Sequence, residues 1–205
     1  TQIGNAIDRP DQLDFGSHDL VNGVFAPAIE YHDGRFWIAN TCFPACGGNF
    51  IITATDPAGP WSDPVWLPDL AGGIDPSLFF DDDGRAWIVN NDVPDGPLRY
   101  EGHRAIWLQQ FDPASMRTIG PRSVLLDGGV VPEERPEYVE GPHLLKKDGW
   151  YYLIAAEGGT AMGVSANVLD KDSLQAARKT ILEAYGACDI LINGAGGNNP
   201  RGTTT

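Results

Sequence analysis

Along the first 160 or so residues, short apolar and aromatic runs alternate with turn clusters, a rhythm too brief and too interrupted for helices. The strand candidates are residues 26–31, 35–41, 49–54, 77–81, 85–90, 104–111, 122–126, 142–146 and 150–156. Segments between them, such as TDPAGPWSDPVW (55–66), carry Pro and Gly at a density that predicts loop. One phrase recurs three times: APAIEYHDGRFWI (26–38), DPSLFFDDDGRAWIV (75–89) and EGPHLLKKDGWYYLI (140–154). Each copy has a Pro, an apolar run, an Asp-Gly pair and a second run rich in aromatic and β-branched residues. Asp-Gly between two such runs predicts a hairpin, because both turn positions tolerate positive φ. The Pro-to-Gly spacing is 7, 8 and 7 residues, and the turn glycines lie 50 and 65 residues apart. A period of that size in β sequence predicts the blades of a propeller.

Near Ala161 the pattern changes. Residues 170–185 place Leu174, Ala177, Ile181, Leu182 and Tyr185 on one helical face, with Asp170 or Asp172 as cap and Gly186 as stop. The following CDILINGAGG (188–197) reads as a buried strand running into a Gly-rich turn, the grammar of a parallel nucleotide-binding sheet. The expected fold class is mainly β: a partial propeller of about three blades over residues 1–161, then a short α/β Rossmann-like fragment over 162–205.

Composition narrows the partners. Among 205 residues, 42% are apolar, with six Trp and eight Phe, enough for a core. The 25 Gly and 16 Pro suit a turn-rich β protein. A formal net charge of −14 argues against nucleic acid and anionic membranes, and it is compatible with a neutral ligand such as a sugar. No run approaches the roughly 20 apolar residues of a membrane span. The three cysteines, Cys42, Cys46 and Cys188, lack metal-type spacing and are odd in number, so no disulfide framework is expected and Cys42 and Cys46 are read as free thiols in a loop, with a bridge between them within TCFPACGG as the alternative. No metal or cofactor is expected. From Thr1 onward no signal-peptide pattern is visible, which sets the expectation at a cytoplasmic protein, with secretion as the alternative.

The three copies differ at the position ahead of the Pro, which is Ala26, Asp75 and Glu140-Gly141 in turn. Equivalent strand starts in rotated blades converge on one central mouth, so Asp75 and Glu140 are expected to face a shared cavity. Paired carboxylates there suit glycoside hydrolysis, in which an acid protonates the leaving oxygen and further carboxylates tune it and activate water. His103 and Arg104 in YEGHRAIW are candidates for the pocket wall or for a satisfied loop pair, and His143 is a secondary candidate. Asp81, Asp82 and Asp83 read as a solvated hairpin tip, and Phe36, Trp87, Tyr151 and Tyr152 as core.

The phrases GVFAPAIEYHDGRFWI, ITATDPAGPWSDPV, GIDPSLFFDDDGRAWIVNN, GHRAIWLQQFD and EGPHLLKKDGWYYLIAAEGGT, in that order, resemble glycoside hydrolase family 43. The resemblance implies a five-bladed propeller enzyme acting on xylosidic or arabinofuranosidic bonds of small oligosaccharides, with inversion. It implies Glu140 as general acid, Asp75 as the aspartate that raises the acid's pKa and orients it, and Phe25 where the family often carries a sugar-packing Trp. Candidate substrate contacts are then Phe25, His103, Arg104 and His143. The family's general base sits in a phrase like HPDPSI, which these residues do not contain, so the chain alone is expected to be inactive unless another carboxylate, Asp14 or Asp92, substitutes for the base. A non-catalytic carbohydrate-binding propeller piece is the alternative. The last 42 or so residues resemble a short-chain dehydrogenase of the mannonate oxidoreductase type, through Asn167-Val168 and Asn193-Gly194-Ala195-Gly196. The Gly-rich cofactor turn and the Tyr-x-x-x-Lys pair are not found there, so dehydrogenase activity is not expected of this chain and an NAD-linked oxidoreductase is only the second alternative, behind the carbohydrate-binding piece.

Overall fold

The computed structural model describes residues 3–14, 23–43, 46–70, 72–157 and 171–185. The chain divides into two units, Thr1–Gly159 and Thr160–Thr205. The first holds three successive antiparallel sheets. Strands β1 (Gly23–His32), β2 (Arg35–Phe43), β3 (Gly48–Ala54) and β4 (Val65–Trp66) pair in chain order, as do β5 (Ile74–Phe80), β6 (Ala86–Asp92), β7 (Ala105–Asp112) and β8 (Arg117–Asp127). A third sheet contains β9 (Glu140–Lys147) and β10 (Trp150–Ala156). The protein is mainly β, and the sheets are blades of a partial propeller; no closed sheet forms among the described residues.

The three Asp-Gly turns account for the 7, 8, 7 spacing. Asp33-Gly34 and Asp148-Gly149 are two-residue turns with both residues at positive φ, joining His32 to Arg35 and Lys147 to Trp150. The middle copy has one more Asp, and its loop closes with Asp81 N–H donating to the Arg85 carbonyl at 2.8 Å and Gly84 N–H to that of Asp81 at 3.1 Å.

The core is built on β3, every residue of which is buried. Ile51 faces Trp37, Leu78, Ile88 and Phe111 between the first two sheets. Phe50 and Ile52 face the other way, toward Leu13, Cys42 and Trp61. A strand covered on both faces loses its polar alternation, which is why Phe50, Ile51 and Ile52 follow one another with no polar residue between them.

Several expectations need correction. The 55–66 segment, read as loop, contains β4, whose pairing of Trp66 with Phe50 and Val65 with Ile51 completes the first sheet. Two residues show no period, so the strand exists only through its partner. Strand β8 begins at Arg117, well ahead of 122, because a register shift and Gly120 at φ +69° absorb the Gly-Pro pair on an edge strand. Tyr151 and Tyr152 are 55% and 48% exposed rather than core. Cys42 and Cys46 form a disulfide across the β2–β3 connection, their Cα atoms 5.4 Å apart. An odd cysteine count argues against a framework of long staples, but a local clamp requires only two residues brought close by a hairpin.

Asp81 is also no solvated tip. Its side chain is buried, with Oδ1 accepting from Lys146 Nζ at 2.6 Å and Oδ2 from Tyr151 Oη at 2.6 Å, which ties the second sheet to the third. Asp83 keeps to the surface and pairs with Arg85.

In the second unit, helix α1 (Lys171–Tyr185) forms where the apolar spacing predicts it, with Asp172 in its first turn. Asn167-Val168 and the strand and NGAG turn read at 188–197 lie outside the described residues. Among those described, no helix is long and apolar enough to cross a membrane.

The hydrogen bonds from Lys146 and Tyr151 hold the Asp81 carboxyl below its ordinary value. A carboxylate with a lower pKa folded than unfolded stabilises fully above the unfolded value, and that contribution is lost as pH falls through the folded one. Asp81→Asn is therefore expected to lower the thermal midpoint near neutral pH, with a gap from wild type that narrows toward about pH 3. A gap of constant size across that range would refute the role of the charge.

Candidate active site

The three repeats share a backbone feature. Ala26, Asp75 and Gly141, each directly before the Pro, have φ of +35°, +55° and +57°. Each lies at a break in register: between Phe25 and Ala28 in β1, between Ile74 and Ser77 in β5, and between Glu140 and His143 in β9. Such a bulge bends the strand and re-aims its neighbouring side chains. The residue before the left-handed position is Phe25, Ile74 or Glu140, and all three line a single pocket of about 250 Å³. The equivalence is thus finer than the sequence phrase suggests. Asp75 occupies the bulge position itself, whereas Glu140 stands one residue earlier, with a glycine taking the left-handed conformation.

For a non-glycine residue that conformation costs on the order of 1 kcal/mol or more, and surrounding contacts must enforce it. At Asp75 they do. Its N–H donates to Thr41 Oγ1 at 3.0 Å, the Thr41 hydroxyl donates to Asn49 Oδ1 at 2.7 Å, and Asn49 Nδ2 donates to the carbonyls of Leu70 and, at 2.8 Å, Gly73. Thr41 and Asn49 are fully buried, so this chain of bonds has no water competing for it.

The Asp75 carboxylate reaches the third sheet. Its Oδ2 accepts from Gly141 N–H at 3.0 Å and from Asn91 Nδ2 at 3.4 Å, and Ser77 Oγ donates to the Pro142 carbonyl at 2.7 Å two residues on. Burial raises the Asp75 pKa, opposed by the Gly141 bond and by the charge of His143. The Glu140 pKa is also raised, first by burial and then by the Asp75 charge, with Arg104 acting against both. A half-buried carboxyl whose pKa is raised beside a second carboxylate is suited to general-acid chemistry.

The remaining candidates are distributed as follows. Phe25 and Arg104 line the Glu140 pocket. His103 does not: it is buried below, its Nδ1 accepting from Arg99 N–H at 3.2 Å and its Nε2 lying 2.8 Å from Asp127 Oδ1. In strand β7 and its approach, the chain turns Arg104 to the pocket and His103 to the interior, so only one of the pair lines the pocket. His143 is exposed on β9, beyond the pocket lining, and touches the site through its charge on Asp75.

Two pocket residues, Asn91 and Tyr138, escape a sequence reading, whereas Asp92 is one of the two stand-in bases it names. Asn91 and Asp92 end the apolar β6, and the polar NND closing AWIVNND is the signal that could have found the asparagine. Asp92 is held by Arg122 Nη1 at 3.1 Å and by Val93 N–H at 2.7 Å. Tyr138, two residues before Glu140, left no signal beyond its nearness to the acid. Among the described residues, no group of three His, Cys, Asp or Glu is placed to hold a metal ion.

The three successive sheets are those of a partial propeller, and the two carboxyls of raised pKa lie near each other, Glu140 on the pocket lining and Asp75 buried behind it. The family model of glycosyl hydrolases family 43 matches residues 1–183, and the chain belongs to that family. It is similar to a xylosidase/arabinosidase of Butyrivibrio fibrisolvens, 50% identical over 162 residues, which are 78% of this chain and 30% of that protein. Among solved structures it is similar to a GH43_12 protein retrieved from a capybara gut metagenome, with a TM-score of 0.72 and 46% identity over 78% of this chain and 30% of the other. The chain thus spans under a third of the length of these relatives. A separate match of 51 residues, 57% identical, covers 25% of this chain and 18% of an uncharacterized oxidoreductase, UxuB, of Bacillus subtilis.

Since the Asp75 charge raises the Glu140 pKa, Asp75→Asn is expected to lower it, while the amide oxygen retains the bond from Gly141. Carbon-13 NMR titration of the Glu140 carboxyl measures this. An unchanged Glu140 titration would show that the two groups do not communicate.

Proposed function

We propose that this chain forms the acid-bearing part of a glycosidase acting on xylosidic or arabinofuranosidic bonds of small oligosaccharides. The observation that carries the reading is the Asp75–Gly141 hydrogen bond, which sets the Asp75 charge beside a half-buried Glu140 whose pKa is raised. The names of the similar proteins support the substrate class. In this reading Glu140 protonates the departing glycosidic oxygen as that bond breaks. Asp75 keeps Glu140 protonated and fixes the bulge that presents it. Water attacks the anomeric carbon from the opposite face, with inversion, once a third carboxylate accepts its proton.

Asp92 is the other carboxylate on the described pocket lining, and it is committed to Arg122 and to Val93 N–H. That favours a second reading for the 205 residues taken by themselves: saccharide binding with little turnover. The Cys42–Cys46 bridge supports the secreted alternative over a cytoplasmic setting, since such bonds persist in oxidising compartments.

Azide tests the acid separately from the base, because it attacks the anomeric carbon without needing a proton removed. With an alkyl β-xyloside or α-L-arabinofuranoside, whose leaving oxygen must be protonated, azide is expected to yield the inverted glycosyl azide. Glu140→Gln is expected to lower that rate by roughly 10²–10⁴-fold. Without azide, release of the alcohol should be near background. Glycosyl azide formation that survives Glu140→Gln would remove Glu140 from the role. Brisk hydrolysis without azide that is lost in Asp92→Asn would identify Asp92 as the base and overturn the binding-only reading.

A further inference from the structure

The segment between β8 and β9 carries an outlier that the acid–base reading leaves unused. Tyr138 has φ of +55°, a conformation that bulky residues rarely adopt. Its N–H donates to the Gly102 carbonyl at 2.8 Å, which anchors the backbone in that form. The strain is not offset by full burial, since the residue stays 46% exposed. It lines the Glu140 pocket, and the Arg104 guanidinium lies over it, 5.4 Å from its centre. Arg104 is in turn held by its bond to the His103 carbonyl at 3.1 Å. A strained backbone, an anchored cation on one side of the ring and an open aromatic surface at the pocket amount to a prepared platform. It gives nothing to the core.

We propose that Tyr138 is a substrate-binding residue whose ring stacks on the sugar of the leaving group. The assignment to that sugar follows from position. Glu140 must meet the glycosidic oxygen, and Tyr138 is two residues away on the same approach to β9, whereas Phe25 enters the pocket from the first sheet. The apolar C–H face of a pentose suits an aromatic surface, and a flat ring of few rotamers is ordered at small entropic cost. This inference rests on the proposed function, because it places the leaving-group sugar by the position of the acid.

Titration calorimetry of the full chain with xylobiose and with xylose tests it. Tyr138→Gly is the informative variant, since glycine adopts the left-handed conformation freely and the fold should be kept or stabilised. The expected result is xylobiose affinity weakened about tenfold in Tyr138→Gly and Tyr138→Ala and retained in Tyr138→Phe. The thermal midpoint of Tyr138→Gly should equal or exceed that of wild type. Unchanged xylobiose affinity in Tyr138→Gly overturns the proposal and leaves the glycosidase reading standing. Loss in Tyr138→Phe equal to that in Tyr138→Ala also overturns it, because the hydroxyl rather than the ring face would then carry the contact. Equal loss for xylose and xylobiose would move the contact off the leaving-group sugar and overturn the assignment. Failure of wild type to bind either saccharide would overturn this inference together with the function on which it rests.

Discussion

The hydrogen bond from Gly141 N–H to Asp75 Oδ2 depends on two backbone departures at once. Asp75 must sit at positive φ for its carboxylate to leave the second sheet, and Gly141 must sit at positive φ for its N–H to turn toward that carboxylate. Both departures are bulges before a Pro, whose missing N–H leaves no ladder bond to lose there. Straightening either strand would return its side chains to ordinary pleat alternation. Glu140 would then no longer share a pocket with Phe25 and Ile74, and the Asp75 charge would move away from it. The site is therefore a property of all three sheets together, not of any one alone.

The strain at Asp75 is balanced through groups far away in sequence. Thr41 from the first sheet receives its N–H, and Asn49 from β3 holds Thr41 while also binding the carbonyls that lead into β5. The buried β3 at the centre of the core thus fixes the depth of the bulge as well as packing both of its own faces. On the outer side, Asp81 with Lys146 and Tyr151 ties the same two sheets together a second time. The inner link sets the charges of the acid pair, and the outer link sets the spacing of the strands that carry them.

The hairpins and the acidic pair were legible because they are local statements. Asp-Gly turns, apolar alternation and a Pro with a carboxylate ahead of it all reside within about ten residues of chain. What could not be read is what depends on a partner across space. Strand β4 exists because Phe50 and Ile51 are there to pair with it. His103 and Arg104 are neighbours in sequence with opposite fates, since Asp127 draws one inward while Tyr138 receives the other at the pocket. Asp81 reads as one of three turn carboxylates until Lys146 and Tyr151 arrive from the two strands of a hairpin, 65 and 70 residues later.

By itself, the sequence determined the three hairpins, their unequal turns, the helix over 171–185 and the two carboxyl groups ahead of the repeated Pro, because turn chemistry and periodicity are set by nearest neighbours along the chain. Only the tertiary structure decided that Asp75 stands at the bulge while Glu140 stands one residue before it, that Cys42 meets Cys46, and that Asn91, Asp92 and Tyr138 join Glu140 around a pocket. The reason is physical: a left-handed backbone at an Asp or a Tyr is locally unfavourable, and it persists only where hydrogen bonds donated to Thr41 and Gly102 and accepted from Gly141, each remote in sequence, outweigh the strain.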